Sequence, residues 1–221
     1  REIKPKVSGL ILPSEKMLLN VSDSWNKYTC IIPEPVEINF INPGKRQNKD
    51  LTALWFGHNS NIYYLFEFMA AGMHQAPPKN LIILTNNCPA ELVKQAAKRA
   101  PKGMKISLAQ WSKNNMVEAA KLSHYAIIPS SKDDPRKSGV SPGRLLTSLA
   151  LGLPVASEPL HSYMPFKEFF ADINSIDAVR LMKDPNNYET KIIAAQNLIN
   201  EKYTVSAIQK EWIRVVEFFS K

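Results

Sequence analysis

From Leu51 onward the chain alternates short apolar runs with stretches whose apolar residues recur at helical spacing. Leu51–Phe56, Leu81–Leu84, Met104–Leu108, Tyr125–Ile128 and Leu153–Ala156 are near-continuous apolar runs, the pattern of strands buried on both faces. Between them lie Asn61–Gly72, with Ile62, Leu65, Phe66 and Met69 at helical spacing, then Pro89–Ala100, and Lys113–Leu122 with Met116, Val117 and Ala120 inward. A further helix opens at Ser141-Pro142-Gly143 and closes at Leu151-Gly152. Strands separated by helical patterns of about 10 to 15 residues predict βαβ units in a parallel sheet, doubly wound by right-handed crossovers. The expected fold class is therefore α/β, a doubly wound parallel sheet with a helical C-terminus. That terminus comprises Lys167–Phe170, Ile176–Met182, Tyr188–Glu201 and Val205–Phe219. The last two are amphipathic, through Ile192, Ile193, Ala195 and Ile199, and through Ile208, Trp212, Val215, Val216 and Phe219.

Upstream, Val7–Leu12 predicts a strand, Pro13-Ser14-Glu15 a helix start with a short helix to about Val21, and Thr29–Ile32 a second strand stopped by Pro33-Glu34-Pro35. Glu37–Asp50 has little periodic apolar content and contains Pro43-Gly44, Lys45, Arg46, Asn48 and Lys49, which predicts an exposed connection carrying a domain boundary. The chain starts at Arg1 rather than Met, so a fragment or processed product is expected.

The charge of +8, from 28 basic and 20 acidic residues in 221, favours anionic partners: phosphates, nucleic acid or an acidic membrane face. The basic residues are scattered in small clusters (Lys4/Lys6, Lys45/Arg46/Lys49, Lys94 to Lys105, Arg136/Lys137) without aromatic interleaving, which argues against nucleic acid. Cys30 and Cys88 lack metal-ligand spacing and fit buried thiols in a reducing compartment. No apolar run approaches the roughly 18 residues of a membrane span, and no secretory signal opens the chain. Asn20-Val21-Ser22 is then a chance match to a glycosylation acceptor.

Ser141 is a good N-cap, Pro142 suits the first helical position, and Gly143 permits close approach to the backbone. Such a helix start offers free N–H groups and a positive dipole end to an anion, and Arg144 adds a full charge. Five polar loops follow the strands: Gly57-His58-Asn59-Ser60, Thr85-Asn86-Asn87, Ala109-Gln110-Trp111, Pro129 to Val140 and Ser157 to Ser162. In a doubly wound sheet they border one crevice at the carboxyl ends of the strands. Gly57 to Ser60 completes no GxGxxG fingerprint and no Walker lysine follows it; its His58 is the histidine best placed for phosphate, whereas His124 at a strand start is expected to be a packed or edge residue. Arg136, Lys137 and Arg144 surround the helix start and could balance a diphosphate. Asp133, Asp134 and Glu158 are the acidic groups expected near the crevice, the adjacent aspartates as solvated surface. No nucleophile-elbow serine, HExxH or metal-spaced cluster is present, so a hydrolase or metalloenzyme has little support.

The run Ser130 to Ser157, ending SPGRLLTSLALGLPVAS, resembles the nucleotide-sugar-binding segment of retaining GT-B glycosyltransferases, with their helix of the form "lEAmAxGxPV" and following strand. GLILPSEKM and IIPEPVEIN resemble the final strand, helix and interdomain crossing of such enzymes' N-terminal domain. Met104–Trp111 resembles the strand and turn that receive the base, and Asn200 to Thr204 the family's ending before the last helix. The resemblance implies a Rossmann-like GT-B C-terminal domain over 51–221, a linker at 41–50 and a remnant of the N-terminal domain and crossing at 1–40. It implies metal-independent transfer of a hexosyl or related sugar from a nucleotide donor to a glycan or lipid-linked acceptor, as in polysaccharide biosynthesis. No cofactor beyond the donor itself, a cytoplasmic location, and contact with the inner face of the membrane go with that expectation. The implied donor site comprises Gly57, His58, Asn59, Ser60, Asn86, Gln110, Trp111, Lys137, Ser141, Gly143, Arg144 and Thr147. Two departures stand out. The second glutamate of the family's E-x7-E pattern falls on Thr147 and the first near Gly139, and the usual Arg and Lys after Gly57 are replaced by His58, Asn59 and Ser60. A domain that binds without turnover is the alternative these departures raise.

Overall fold

The computed structural model describes residues 9–21, 29–44, 49–71, 73–137 and 139–219. Arg1, Lys4, Lys6, Val7, Ser22, Lys45, Arg46, Asn48 and Gly72, named above, lie outside the described residues. Two short strands, β1 (Leu10–Leu12) and β2 (Thr29–Ile31), pair in parallel as a small separate sheet. Between them Glu15–Asn20 is 3₁₀ rather than α-helical.

The main sheet has six parallel strands: β3 (Thr52–Gly57), β4 (Asn80–Thr85), β5 (Lys105–Gln110), β6 (Tyr125–Ile128), β7 (Val155–Ser157) and β8 (Phe170–Asp172). Their spatial order is β5-β4-β3-β6-β7-β8, so the sheet reverses direction of growth between β3 and β6. This is the doubly wound arrangement, with its ligand crevice expected outside the carboxyl ends of β3 and β6. The helices are α1 (Ile62–Ala71), α2 (Ala90–Arg99), α3 (Lys113–Leu122), α4 (Gly143–Ala150), α5 (Ile176–Lys183), α6 (Glu189–Lys202) and α7 (Val205–Phe219).

Alternation along each strand sends successive side chains to opposite faces and builds two cores. Ala53, Trp55, Leu81, Ile83, Tyr125 and Ile127 pack with α1, α2 and α5. Leu54, Phe56, Leu84, Ala126, Ile128 and Val155 pack with α3, α4 and α6. Burial on both faces is why these strands appear in the sequence as continuous apolar runs.

Two expectations are corrected. Lys167–Phe170 is not a separate α-helix: residues 167–169 end a 3₁₀ helix over His161–Phe169 that is kinked at Phe166, and Phe170 already opens edge strand β8. The apolar stripe of α7 is fully buried only at Ile208; Val215 and Phe219 are half-buried, and Trp212 and Val216 face outward.

The segment after β2 is docked on the second core. Val36 N–H donates to the Tyr203 carbonyl at 2.7 Å, and Ile41 N–H to that of Ala150 at 2.9 Å. Gln196, only 9% exposed, donates from Nε2 to the carbonyls of Ile41, Leu149 and Ala150 at 2.9 to 3.1 Å. A buried amide needs such partners, and here they join the crossing segment to the C-terminal end of α4.

Candidate functional site

A cleft of about 540 Å³ opens at the carboxyl ends of β3, β4 and β5, facing the start of α4. Gly57 and His58 enter it from the end of β3, Asn86 from β4 and Trp111 from β5, while Ser141, Gly143, Arg144 and Thr147 form the helix-side wall. Eight residues expected in a donor site are thus brought together.

The other four stand behind that wall or at its rim. Asn59 N–H donates to Asn86 Oδ1 at 2.8 Å, and Gln110 Nε2 to the Asn86 carbonyl at 2.7 Å, so both fix the Asn86 loop. His58 caps the turn after β3, its Nδ1 accepting from Ser60 N–H at 3.3 Å and lying 2.9 Å from Ser60 Oγ. Lys137 Nζ donates to Asn61 Oδ1 at 2.5 Å and lies 5.2 Å from the Tyr64 ring centroid.

The helix start differs in detail from the expected cap. Pro142, not Ser141, is the N-cap residue, and the Ser141 hydroxyl accepts from Gly143 N–H at 3.1 Å. One amide of the first turn is thereby occupied, which leaves Arg144 as the full positive charge on this wall. Its side chain lines the cleft, but Nε and Nη2 are sealed from solvent and have no hydrogen-bond partner. The guanidinium carbon lies 5.3 Å from the Trp55 ring centroid and 5.8 Å from that of Phe56. A methyl added at Gly57 would stand 3.3 Å from it. Burial lowers the Arg144 pKa, with the Tyr163 phenol acting in the opposite sense. Burial first, and then the charge of Arg144, also lower the Lys137 ammonium. Two cations are held close enough to repel each other, which an anion between them would reverse.

Arg136 does not join them. It forks onto Asp134, with Nη2 at 2.7 Å from Oδ2, and is absent from the cleft lining. Asp134 is likewise not free surface: it accepts from Tyr64 Oη as well as from Arg136, and these bonds hold its carboxyl far below the usual range. Glu158 lies elsewhere, 7% exposed, beside a separate cleft with Ser130 and Asn174. The acid that does line this cleft is Glu34, from the segment after β2, accompanied by Pro35, Phe56 and Val140. Sequence inspection did not assign these four, although Glu34 between two prolines was a visible signal. His124 is packed as expected, Nδ1 accepting from Thr52 N–H at 3.1 Å. Among the described residues, no three His, Cys, Asp or Glu side chains cluster to hold a metal ion, and no helix is long and apolar enough to cross a membrane.

Burial raises the Glu158 carboxyl above its ordinary 4.5, against the bonds from Asn174 and the Lys132 backbone. The folded state then holds the proton to higher pH than the unfolded chain, so this group lowers stability as pH rises from 4.5 through its raised value. Chemical denaturation of wild type and Glu158→Gln should show the variant gaining relative stability from about pH 4 to neutrality. A pH-independent difference would contradict the assignment.

No family model matches the chain, and no curated protein matches it by sequence. Solved structures do. Staphylococcus aureus TarM, in a complex with fondaparinux, alpha-GlcNAc-glycerol and UDP, is 14% identical with a TM-score of 0.68, over 98% of this chain and 45% of TarM. A glycosyltransferase from Rickettsia africae is 9% identical with a TM-score of 0.71, over 97% of this chain and 64% of that one. The pneumococcal O-GlcNAc transferase GtfA, in complex with UDP and GlcNAc, is 14% identical with a TM-score of 0.63, over 97% and 46%. The chain spans less than half the length of TarM and GtfA. At these identities the likeness concerns the fold: a parallel six-stranded sheet with a helical end, matching the GT-B C-terminal domain.

Proposed function

We propose that this chain is the donor-binding part of a glycosyltransferase that moves a hexosyl or related sugar from a nucleoside diphosphate to a glycan or lipid-linked acceptor. The observation that carries this is Arg144, whose two sealed guanidinium nitrogens lack partners beside a cleft at the switch point of the sheet. A buried cation without a counter-charge is costly, and an anionic ligand supplies one. Lys137 adds the second charge of a diphosphate site, and Trp111, 45% exposed at the end of β5, offers a ring for the base. The UDP held by TarM and GtfA, which share this fold, supports the same ligand class.

In the reaction proposed, the bond from the anomeric carbon to the diphosphate breaks and a bond to an acceptor oxygen forms. The acceptor's proton leaves with the diphosphate. Arg144, Lys137 and the start of α4 stabilise the departing charge, the part usually taken by preorganised donors and cations. The acceptor would be met partly by chain outside this domain, acting at the inner face of the membrane in polysaccharide biosynthesis.

Thr147 favours a second reading, binding without turnover, because a hydroxyl is a poorer diol acceptor than a carboxylate. Isothermal titration with UDP, GDP and ADP tests the donor site: at least one should bind with a Kd of about 1 mM or tighter. Silence with all three overturns it. Binding without hydrolysis of any matching nucleotide sugar by the full-length protein would select the second reading.

A further inference from the structure

Glu34 stands between two prolines, and the backbone on either side is tied down. Ile32 and Val36 are both buried; Ile32 N–H donates to the Leu12 carbonyl at 2.9 Å and Val36 N–H to the Tyr203 carbonyl at 2.7 Å. Pro35 restricts residue 34 to extended backbone, and Pro33 fixes its own φ, so Pro33-Glu34-Pro35 is a stiff strut that brings Glu34 and Pro35 into the cleft wall. The carboxylate reaches the α4 start: Oε2 would be 3.2 Å from a methyl group at residue 143, a position where glycine leaves the space open. Glu34 is the one acidic residue in the lining of this cleft, and no hydrogen bond or ion pair to it is recorded among the described residues.

A fixed negative charge in a cleft built for phosphate opposes the phosphate itself, so its contribution lies in another part of the ligand. An ionised carboxylate only accepts hydrogen bonds, and its two oxygens match a pair of adjacent hydroxyl donors. We infer that Glu34 is the hydroxyl-recognising residue of the cleft, gripping a vicinal diol of the ligand whose diphosphate lies at Arg144. This rests on the donor-site reading above. The diol belongs either to the ribose or to the transferred sugar, which share this chemistry. Because the strut is rigid before binding, little ordering is needed when the diol arrives.

Glu34→Gln, an exposed and nearly isosteric change, should weaken the diol-bearing ligand by about 10-fold or more, since bonds to a charged group are the stronger kind. Pyrophosphate, which has no hydroxyl donor of this type, should bind the variant as well as wild type or better. Titration with UDP, 2′,3′-dideoxy-UDP, UDP-glucose and pyrophosphate, or the matching series for whichever base binds, separates the sources. A loss with UDP that is absent with the dideoxy compound places Glu34 on the ribose; a loss confined to UDP-glucose places it on the sugar. Equal or tighter binding of every ligand by Glu34→Gln overturns the inference while leaving the donor site standing. Wild type that binds neither nucleotide nor pyrophosphate overturns both.

Discussion

Gly152→Ala lowers the unfolding free energy by about 3 kcal/mol, a sizeable part of the total stability of a domain this large. Two independent costs combine at this residue. Gly152 has φ of +71°, where a side chain costs about 1–2 kcal/mol. It ends α4 in a Schellman turn: Leu153 N–H donates to the Ser148 carbonyl at 3.1 Å and Gly152 N–H to that of Leu149 at 2.9 Å. An added methyl would also collide with the Ile41 carbonyl oxygen and stand 3.1 Å from Asn42 C and Pro43 N, backbone atoms that cannot swing aside. Gly152→Asn separates the two costs, because Asn tolerates left-handed backbone but carries the same Cβ. Denaturant unfolding should show Asn nearly as damaging as Ala. A much milder Asn variant would mean that the docked crossing yields and only the turn matters.

That docking marks where the sequence stopped being informative. Gly152 was legible as a helix terminator, but its contact with residues 41–43 joins segments over a hundred positions apart. Gln196, four residues after Ile192 and three before Ile199, falls on the buried face of α6, but its spacing does not say which carbonyls its amide meets. Strands β3, β4, β6 and β7 were visible because two-sided burial demands continuous apolar residues, and edge strand β5, half-exposed, through the shorter apolar pattern of Met104, Ile106 and Leu108. β8 was not: three residues give no period, and the preceding aromatic stretch mimics helical spacing around Pro165. At the site, composition marked Arg136, Lys137 and Arg144 alike. Only the fold shows that Asp134 neutralises Arg136 while Arg144 is sealed against Trp55 without a partner. Glu34 escaped notice because a residue of the crossing segment gains meaning only when that segment folds back over α4.

Arg144→Met should move stability and binding in opposite directions. In the unliganded protein Arg144 places a guanidinium, two of whose nitrogens are buried and unpartnered, against aromatic rings and near the Lys137 ammonium. The stacking offsets part of the desolvation but supplies no acceptor for Nε or Nη2. Met has a flexible apolar stem of comparable reach and can occupy the channel beside Trp55 and Phe56 without those unmet donors. The variant should therefore be more stable than wild type by about 1–3 kcal/mol in denaturant unfolding without ligand, as when buried charges give way to apolar residues elsewhere. The same change removes the main counter-charge for a diphosphate and should weaken the nucleotide that binds wild type by about 10- to 100-fold. Saturating nucleotide should then shrink or cancel the variant's advantage, since a 10- to 100-fold tighter site gives wild type about 1.4–2.7 kcal/mol more from ligand by mass action. A residue retained for packing alone gives another result: Arg144→Met would be destabilised with and without nucleotide, and its affinity would match wild type. A variant more stable than wild type without ligand yet weaker in nucleotide binding distinguishes a cation kept for its ligand from one kept for the fold.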